Sequence, residues 1–107
     1  MIFSLCLLAC SSAPPQPKSC DAMQAGISRD ECYHAEIMNL PGSASQQALE
    51  KAKLIDDMMI RGSAVSSWIR DHNNEVNKKN GMALCELLDG RDRSYCMRRL
   101  SSPHLKR

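Results

Sequence analysis

The chain has 107 residues and a formal net charge of +2, and it is 43% hydrophobic and 24% charged. This length suits one domain, the hydrophobic content is high enough for folding, and so small a net charge does not indicate nucleic acid as a partner. Outside the first ten residues the aromatic side chains are Tyr33, Trp68 and Tyr95. Aliphatic side chains and methionines must therefore fill most of the core.

The chain begins with an apolar run, residues 1–9, that contains no charged side chain. The run is too short to span a bilayer, which needs roughly 20 apolar residues, but it suits the apolar region of a signal peptide. Residues 11–19 are rich in proline and serine, a composition typical of a flexible tether. The alternative is an N-terminal core helix that ends at Ala9.

The tetrapeptide Leu-Leu-Ala-Cys at residues 7–10 resembles the lipobox of bacterial lipoproteins. This resemblance implies cleavage before Cys10 and attachment of diacylglycerol to its sulfur. Residues 1–9 would then be a signal peptide, and residues 10–19 a lipid anchor with its tether. Serine rather than aspartate at position 11 implies, by the same resemblance, attachment to the outer membrane, facing the periplasm.

Loss of Cys6 with the signal peptide and acylation of Cys10 leave an even number of cysteines. An even set in an oxidising compartment indicates disulfides. The four are Cys20, Cys32, Cys85 and Cys96.

Two segments of the chain share one cysteine pattern. Each has a Cys, then an acid, a Met or Leu, a glycine (Gly26 or Gly90) and an Arg three residues before a second Cys. The glycine permits a tight reversal between a short helix and the next one. The pattern predicts two local disulfides, Cys20–Cys32 and Cys85–Cys96, each worth roughly 3 kcal/mol in the chain-entropy model.

Two other arrangements of these cysteines remain open. A nested pairing would join Cys20 to Cys96 and Cys32 to Cys85, as in helical hairpins with twin cysteines. A metal site is the third arrangement, but the spacing lacks the C-x2-C pair of common zinc sites. We predict no metal site and no cofactor.

The first helix signal is a capping box formed by Ser28 and Glu31. The helix that it opens runs to about Met38 and stops before Pro41. This segment carries the second cysteine of the first pair.

A second capping box, Ser43 with Gln46, opens a helical pattern that continues as far as Lys79. Its apolar seam has spacings of three and four and comprises Ala48, Ala52, Ile55, Met59 and Ile69. A single helix of this length would extend about 55 Å. A bend or break is therefore expected at Gly62-Ser63 or at Asn73-Asn74.

Asn80-Gly81 is a predicted helix stop. Residues 82–89 form a short predicted helix closed by Gly90, and Asp92 then caps a last helix that runs to Leu100. No segment alternates like a strand. The sequence therefore predicts an all-α fold, a bundle of three to four helices stapled by two disulfides, over residues 20–100, with a basic tail at residues 101–107.

The sequence offers little support for catalysis. The possible bases are His34, His72 and His104, and none has an evident nucleophile partner. Neighbouring acids on a helix point apart and do not make an acid/base pair. We predict that the protein is not an enzyme.

Trp68 and Arg70 are candidate partner-binding residues, because Trp and Arg are frequent hot spots of protein interfaces. Trp68 lies on or beside the apolar seam, so a place in the core is the competing interpretation. Methionines on a helical surface can likewise adapt to a partner, although most of these are expected to fill the core.

The end of the chain is basic, with six Lys and Arg between residues 91 and 107 against one acid. Arg98 and Arg99 are therefore candidate contacts for an acidic surface. They also fall in the last turn of a predicted helix, where cations interact favourably with the macrodipole. A solvated helix end that only gains stability is the favoured interpretation of the two.

A further resemblance concerns the folded part. The first cysteine segment looks like a motif of small periplasmic proteins of Gram-negative bacteria, carried here by Cys20, Arg29, Cys32 and Tyr33. With residues 68–71 and 85–100, the layout is similar to the bacterial lysozyme-inhibitor family of small helical lipoproteins. The resemblance implies a secreted, disulfide-bonded helical protein with an exposed surface that binds a partner.

These observations predict a non-enzymatic, lipid-anchored binding module with a periplasmic or envelope protein as its partner. It could dock a component of a secretion or conjugation apparatus, or act as an exclusion factor. The alternative within this class is an inhibitor of a hydrolase such as lysozyme. An enzyme is the competing class, and a passive structural lipoprotein is a third class.

Overall fold

A computed structural model describes residues 20–101 of the protein, and every regular element in this range is helical. A 3-10 turn, Cys20–Ala22, precedes five α-helices: α1 Ile27–Met38, α2 Ser45–Lys53, α3 Met58–His72, α4 Lys78–Glu86 and α5 Gly90–Ser101. The predicted all-α fold is confirmed, but the described residues form five α-helices where three to four were predicted, because the long helical pattern after Ser43 is interrupted twice. The predicted signal peptide, the lipidation residue Cys10, the tether and residues 102–107 lie outside the described residues.

The helices form a closed ring in which α1 packs on α3, α3 on α5, α5 on α4, α4 on α2, and α2 on α1. One core lies inside the ring, and its largest fully buried side chains include Trp68, Ile37, Ile55, Ile69 and Leu84. Burying these apolar side chains supplies most of the driving force for folding. None of the five helices is both long and apolar enough to cross a membrane.

The two disulfides are local, as predicted. Cys20 bonds to Cys32 with the Cα atoms 5.7 Å apart, and Cys85 bonds to Cys96 with the Cα atoms 5.4 Å apart. The reversals contain Gly26 at φ 150° and Gly90 at φ 51°, conformations that favour glycine. The first bridge fastens the 3-10 turn to α1 and the second joins α4 to α5, so the nested pairing is wrong.

The long helical pattern after Ser43 is divided at two places. The break at Asn73-Asn74 is confirmed, because α3 ends at His72. Gly62-Ser63 does not break the helix and lies inside α3. The other break, at residues 54–57, was not predicted, and Asp57 begins α3 there by accepting hydrogen bonds from the backbone N–H of Met59 and Ile60.

Two side chains hold this unpredicted break, one of them, Asp30, distant in sequence. The buried carboxylate of Asp30 on α1 accepts hydrogen bonds from the backbone N–H groups of Asp56 and Asp57. The guanidinium of Arg61 donates two hydrogen bonds to the carbonyl oxygen of Ile55 and one to that of Leu87. These bonds satisfy backbone groups that the interrupted helix leaves unpaired.

Both predicted capping boxes are wrong. Gly26 and Ala44 occupy the N-cap positions of α1 and α2, and neither helix has a side-chain cap. Ser28 and Ser43 therefore do not cap. Ser45 is instead buried, and its Oγ accepts a hydrogen bond from Nδ2 of Asn80 at 3.0 Å.

The predicted stop at Asn80-Gly81 is also wrong, because both residues lie inside α4. Asn77 caps this helix by accepting a hydrogen bond from the backbone N–H of Asn80 at 3.0 Å. Gly81 is buried where α5 crosses closely: a Cβ atom there would lie 2.7 Å from Cδ1 of Leu100. Glycine is therefore required at position 81 by the close approach of Leu100, and it does not end a helix.

Two further expectations need correction. Met59 of the predicted apolar seam is 82% exposed, although the other four seam residues are buried. Asp92 lies within the first turn of α5, which begins at Gly90, so it is not the N-cap. Its carboxylate instead approaches Gly62 on α3, where a Cβ atom would lie 2.9 Å from Oδ2.

Candidate docking surface on helices α3 and α5

A cleft of about 240 Å³ opens between α3 and α5. We call it the α3–α5 cleft, and its lining is Ser66, Ser67 and Arg70 from α3 with Asp92, Tyr95 and Arg99 from α5. The two helices meet where the carboxylate of Asp92 approaches Gly62 and where Nδ2 of Asn73 donates to the carbonyl oxygen of Arg99 at 3.1 Å. These contacts hold the two walls at a fixed separation.

The cleft contains two of the four predicted partner-binding residues, and a third, Arg98, lies beside it. Arg70 and Arg99 face it from opposite helices, and the guanidinium of Arg98 lies 5.4 Å from the ring centroid of Tyr95. Such a cation–π contact orients both side chains at the surface. Arginines predicted from two separate parts of the sequence, Arg70 and Arg99, therefore line one cleft together with Tyr95, and Arg98 contacts the Tyr95 ring beside it.

The arginines differ in how their charges are balanced. Arg70 pairs with its neighbour Asp71 at 3.3 Å, in a contact that is about half exposed. Within residues 20–101, Arg98 and Arg99 take part in no ion pair of 4.0 Å or less. Exposed pairs contribute little to stability, so an incoming anion can compete with Asp71 for Arg70, whereas Arg98 and Arg99 have no ion pair within the described residues to exchange.

Tyr95 is the residue of this surface that sequence reasoning missed. Its side chain is 50% exposed, an unusual position for one of so few aromatic residues. Tyrosine is favoured at interfaces because it combines an apolar ring with a hydroxyl. The signal was its spacing of three and four residues from Arg98 and Arg99, which places all three on one face of a helix.

Trp68, in contrast, belongs to the core and not to the docking surface. It has no exposed surface, and its Nε1–H donates to the carbonyl oxygen of Leu40 at 3.0 Å. Its ring lies 5.1 Å from that of His72, whose Nδ1 is 3.6 Å from a carboxylate oxygen of Glu75. The prediction of Trp68 as an interface anchor is therefore corrected.

A second cleft, lined mainly by residues of α1 and α2, is acidic. Asp21, Tyr33, Glu36 and Glu50 line it with Lys51, whose Nζ lies 2.8 Å from Oε1 of Glu36. The Tyr33 hydroxyl donates a hydrogen bond to Asp21, and this bond together with burial raises the pKa of the phenol above its ordinary value of 10.0.

One group in the described part has the spacing of metal ligands. Sγ of Cys20, Sγ of Cys32 and a carboxylate oxygen of Glu36 lie within 4.8 Å of one another. The two sulfur atoms are joined in a disulfide and cannot act as thiolate ligands.

Comparisons of this chain with protein-family models, curated proteins and solved structures found no match.

Proposed function

We propose that the protein is a non-enzymatic binding module that engages a protein partner through the α3–α5 cleft. One observation carries this proposal: Arg70 and Arg99 line the same cleft as the half-exposed ring of Tyr95, and the guanidinium of Arg98 lies 5.4 Å from the centroid of that ring. Arginine and tyrosine are the residue types most enriched in the energetic centres of interfaces. Guanidinium groups also bind carboxylates through paired hydrogen bonds, which favours an acidic partner.

We further propose that this module works from a membrane in the periplasm. The lipobox-like residues 7–10 support acylation of Cys10 and attachment to the outer membrane. The ten residues from 10 to 19 can extend at most about 35 Å when fully stretched. The partner is then an envelope protein close to that surface, such as a component of a secretion or conjugation apparatus. If the protein is instead an exclusion factor, it acts at the same surface.

A second candidate function is inhibition of a hydrolase. Most glycoside hydrolases place two carboxyl groups in one active-site cleft. A surface that projects several arginines, of which Arg98 and Arg99 take part in no ion pair within residues 20–101, is chemically complementary to such a pair. The arginines around Tyr95 thus favour this candidate as well, and identification of the partner separates it from docking.

The proposal can be tested by photocrosslinking in living cells. A photoreactive amino acid replaces Tyr95 in the full-length protein, and a matched variant carries it at Glu31. Glu31 is exposed on α1, which does not contact α5. We expect one discrete adduct from position 95 and none from position 31. Equal labelling at both positions, or none at position 95, would contradict the proposal.

A further inference from the structure

We infer that the α3–α5 cleft is a carboxylate-binding site that takes an Asp or Glu side chain from an acidic segment of the partner. This inference rests on the proposed function and names the chemistry of that contact. Arg70 and Arg99 are the residues that bind the carboxylate. They come from two helices and face the same space.

The position of Arg99 favours an anion rather than an apolar group. Its guanidinium carries a charge that no acid within residues 20–101 neutralises through an ion pair. The residue is also half-buried, and its backbone carbonyl is held by Asn73. A partly desolvated cation gains more from an anion than a freely hydrated one does.

The rest of the lining adds hydrogen-bond donors of the right kind. The hydroxyl groups of Ser66, Ser67 and Tyr95 belong to the same cleft. Each can donate a hydrogen bond to a carboxylate oxygen, and a carboxylate accepts about four such bonds. Two cations and three hydroxyl groups can therefore satisfy one carboxylate from both walls of the cleft.

The charge of the lining distinguishes a carboxylate from a phosphate. The lining holds two arginines and one acid, Asp92, so its net charge is +1. Two charged residues that contact this lining, Asp71 paired with Arg70 and Arg98 beside Tyr95, cancel each other and leave this net charge unchanged. A carboxylate with one negative charge neutralises the cleft. A phosphate group with nearly two negative charges at neutral pH would leave an excess of negative charge beside Asp92.

The test measures binding of three probes to the full-length protein in detergent by titration calorimetry. The probes are hexaglutamate, hexaglutamine and inorganic phosphate. The variants are Arg70→Gln, Arg99→Gln and the control Arg91→Gln, which removes the same charge from an exposed position on α5 outside the cleft. Circular dichroism at the assay temperature checks that each variant is folded.

We expect hexaglutamate to bind saturably and the other two probes to bind at least tenfold more weakly. Arg70→Gln and Arg99→Gln should each weaken hexaglutamate binding about fivefold or more, whereas Arg91→Gln should change it less than twofold. Equal losses in all three variants would indicate diffuse attraction and overturn the site. If phosphate binds as tightly as hexaglutamate or more tightly, the assignment of the cleft to a carboxylate is overturned.

Failure of this inference can be told apart from failure of the proposed function. A position-95 adduct in cells with no saturable hexaglutamate binding overturns only the carboxylate site. If hexaglutamate binds saturably and this binding depends on Arg99, but position 95 gives no adduct in cells, the carboxylate site is supported and the proposed docking of a protein partner is contradicted.

Discussion

The carboxylate of Asp30 accepts a hydrogen bond from the backbone N–H of Asp57 at 3.0 Å, across 27 positions of sequence. Asp30 is only 2% exposed, and its other oxygen accepts the N–H of Asp56. These two hydrogen bonds join the start of α1 to the start of α3. Because α3 forms one wall of the α3–α5 cleft, the contact helps to place the proposed docking surface.

The first prediction concerns this contact. Asp30→Asn replaces one acceptor oxygen with an NH2 group that faces a backbone N–H, and we expect a loss of about 1–3 kcal/mol in the free energy of unfolding. Urea denaturation measures it. Glu31→Gln, at the exposed neighbouring position, is the control and should change stability by less than about 0.5 kcal/mol. Equal stability of Asp30→Asn and wild type would show that the contact does not hold the loop.

The second prediction separates the core from the docking surface. Trp68→Phe removes the hydrogen bond to the Leu40 carbonyl and part of the core volume, and should cost about 2–4 kcal/mol of stability. The yield of the position-95 adduct should remain unchanged at temperatures where the variant is folded. A loss of adduct with intact stability would instead return Trp68 to the interface.

The sequence predicted the two disulfides, whose cause is local, although the equally local capping boxes at Ser28 and Ser43 were wrong. The pattern around Gly26 and Gly90 was sufficient for the two disulfides, because each bridge closes over a single reversal. The break at residues 54–57 was missed because its cause, Asp30, lies far away along the chain. Gly81 was interpreted as a helix stop because the approach of Leu100 exists only in the folded protein.

The candidate site was predictable to a similar extent. Charge and residue type identified Arg70, Arg98 and Arg99, because these properties depend on composition alone. Whether Trp68 or Tyr95 reaches the surface depends on how α3 and α5 pack. An apolar seam on a helix does not show which of its members faces outward. Met59 belongs to the predicted seam and yet is exposed, for the same reason.

The third prediction concerns pH. The hydrogen bond to Asp21 and burial favour the neutral phenol of Tyr33 and raise its pKa in the folded state. The associated stabilisation is fully present below pH 10 and is lost as the pH rises through the folded-state pKa. Tyr33→Phe should remove this part of the alkaline decline in melting temperature, whereas Tyr95→Phe should retain it. An identical alkaline profile in Tyr33→Phe would refute the assignment.

The fourth prediction concerns the membrane anchor. Mass spectrometry of the protein from cells should find a mature N-terminus at Cys10 that carries diacylglycerol. Cys10→Ser should release the protein from the membrane fraction, because the lipid is then absent. Membrane association that survives Cys10→Ser, or an unmodified Met1, would contradict anchoring at this residue.

The fifth prediction tests the docking surface most directly, through the double variant Arg98→Gln with Arg99→Gln. Both arginines lie in the last turn of α5, where each contributes about 0.3–1 kcal/mol through the macrodipole, so the melting temperature should fall slightly. If they also bind an acidic partner, the yield of the position-95 adduct in isolated envelopes should fall severalfold at low salt. High salt should remove this difference by screening exposed charges. A lowered melting temperature with an unchanged adduct yield would contradict the docking surface and leave the arginines a purely stabilising role.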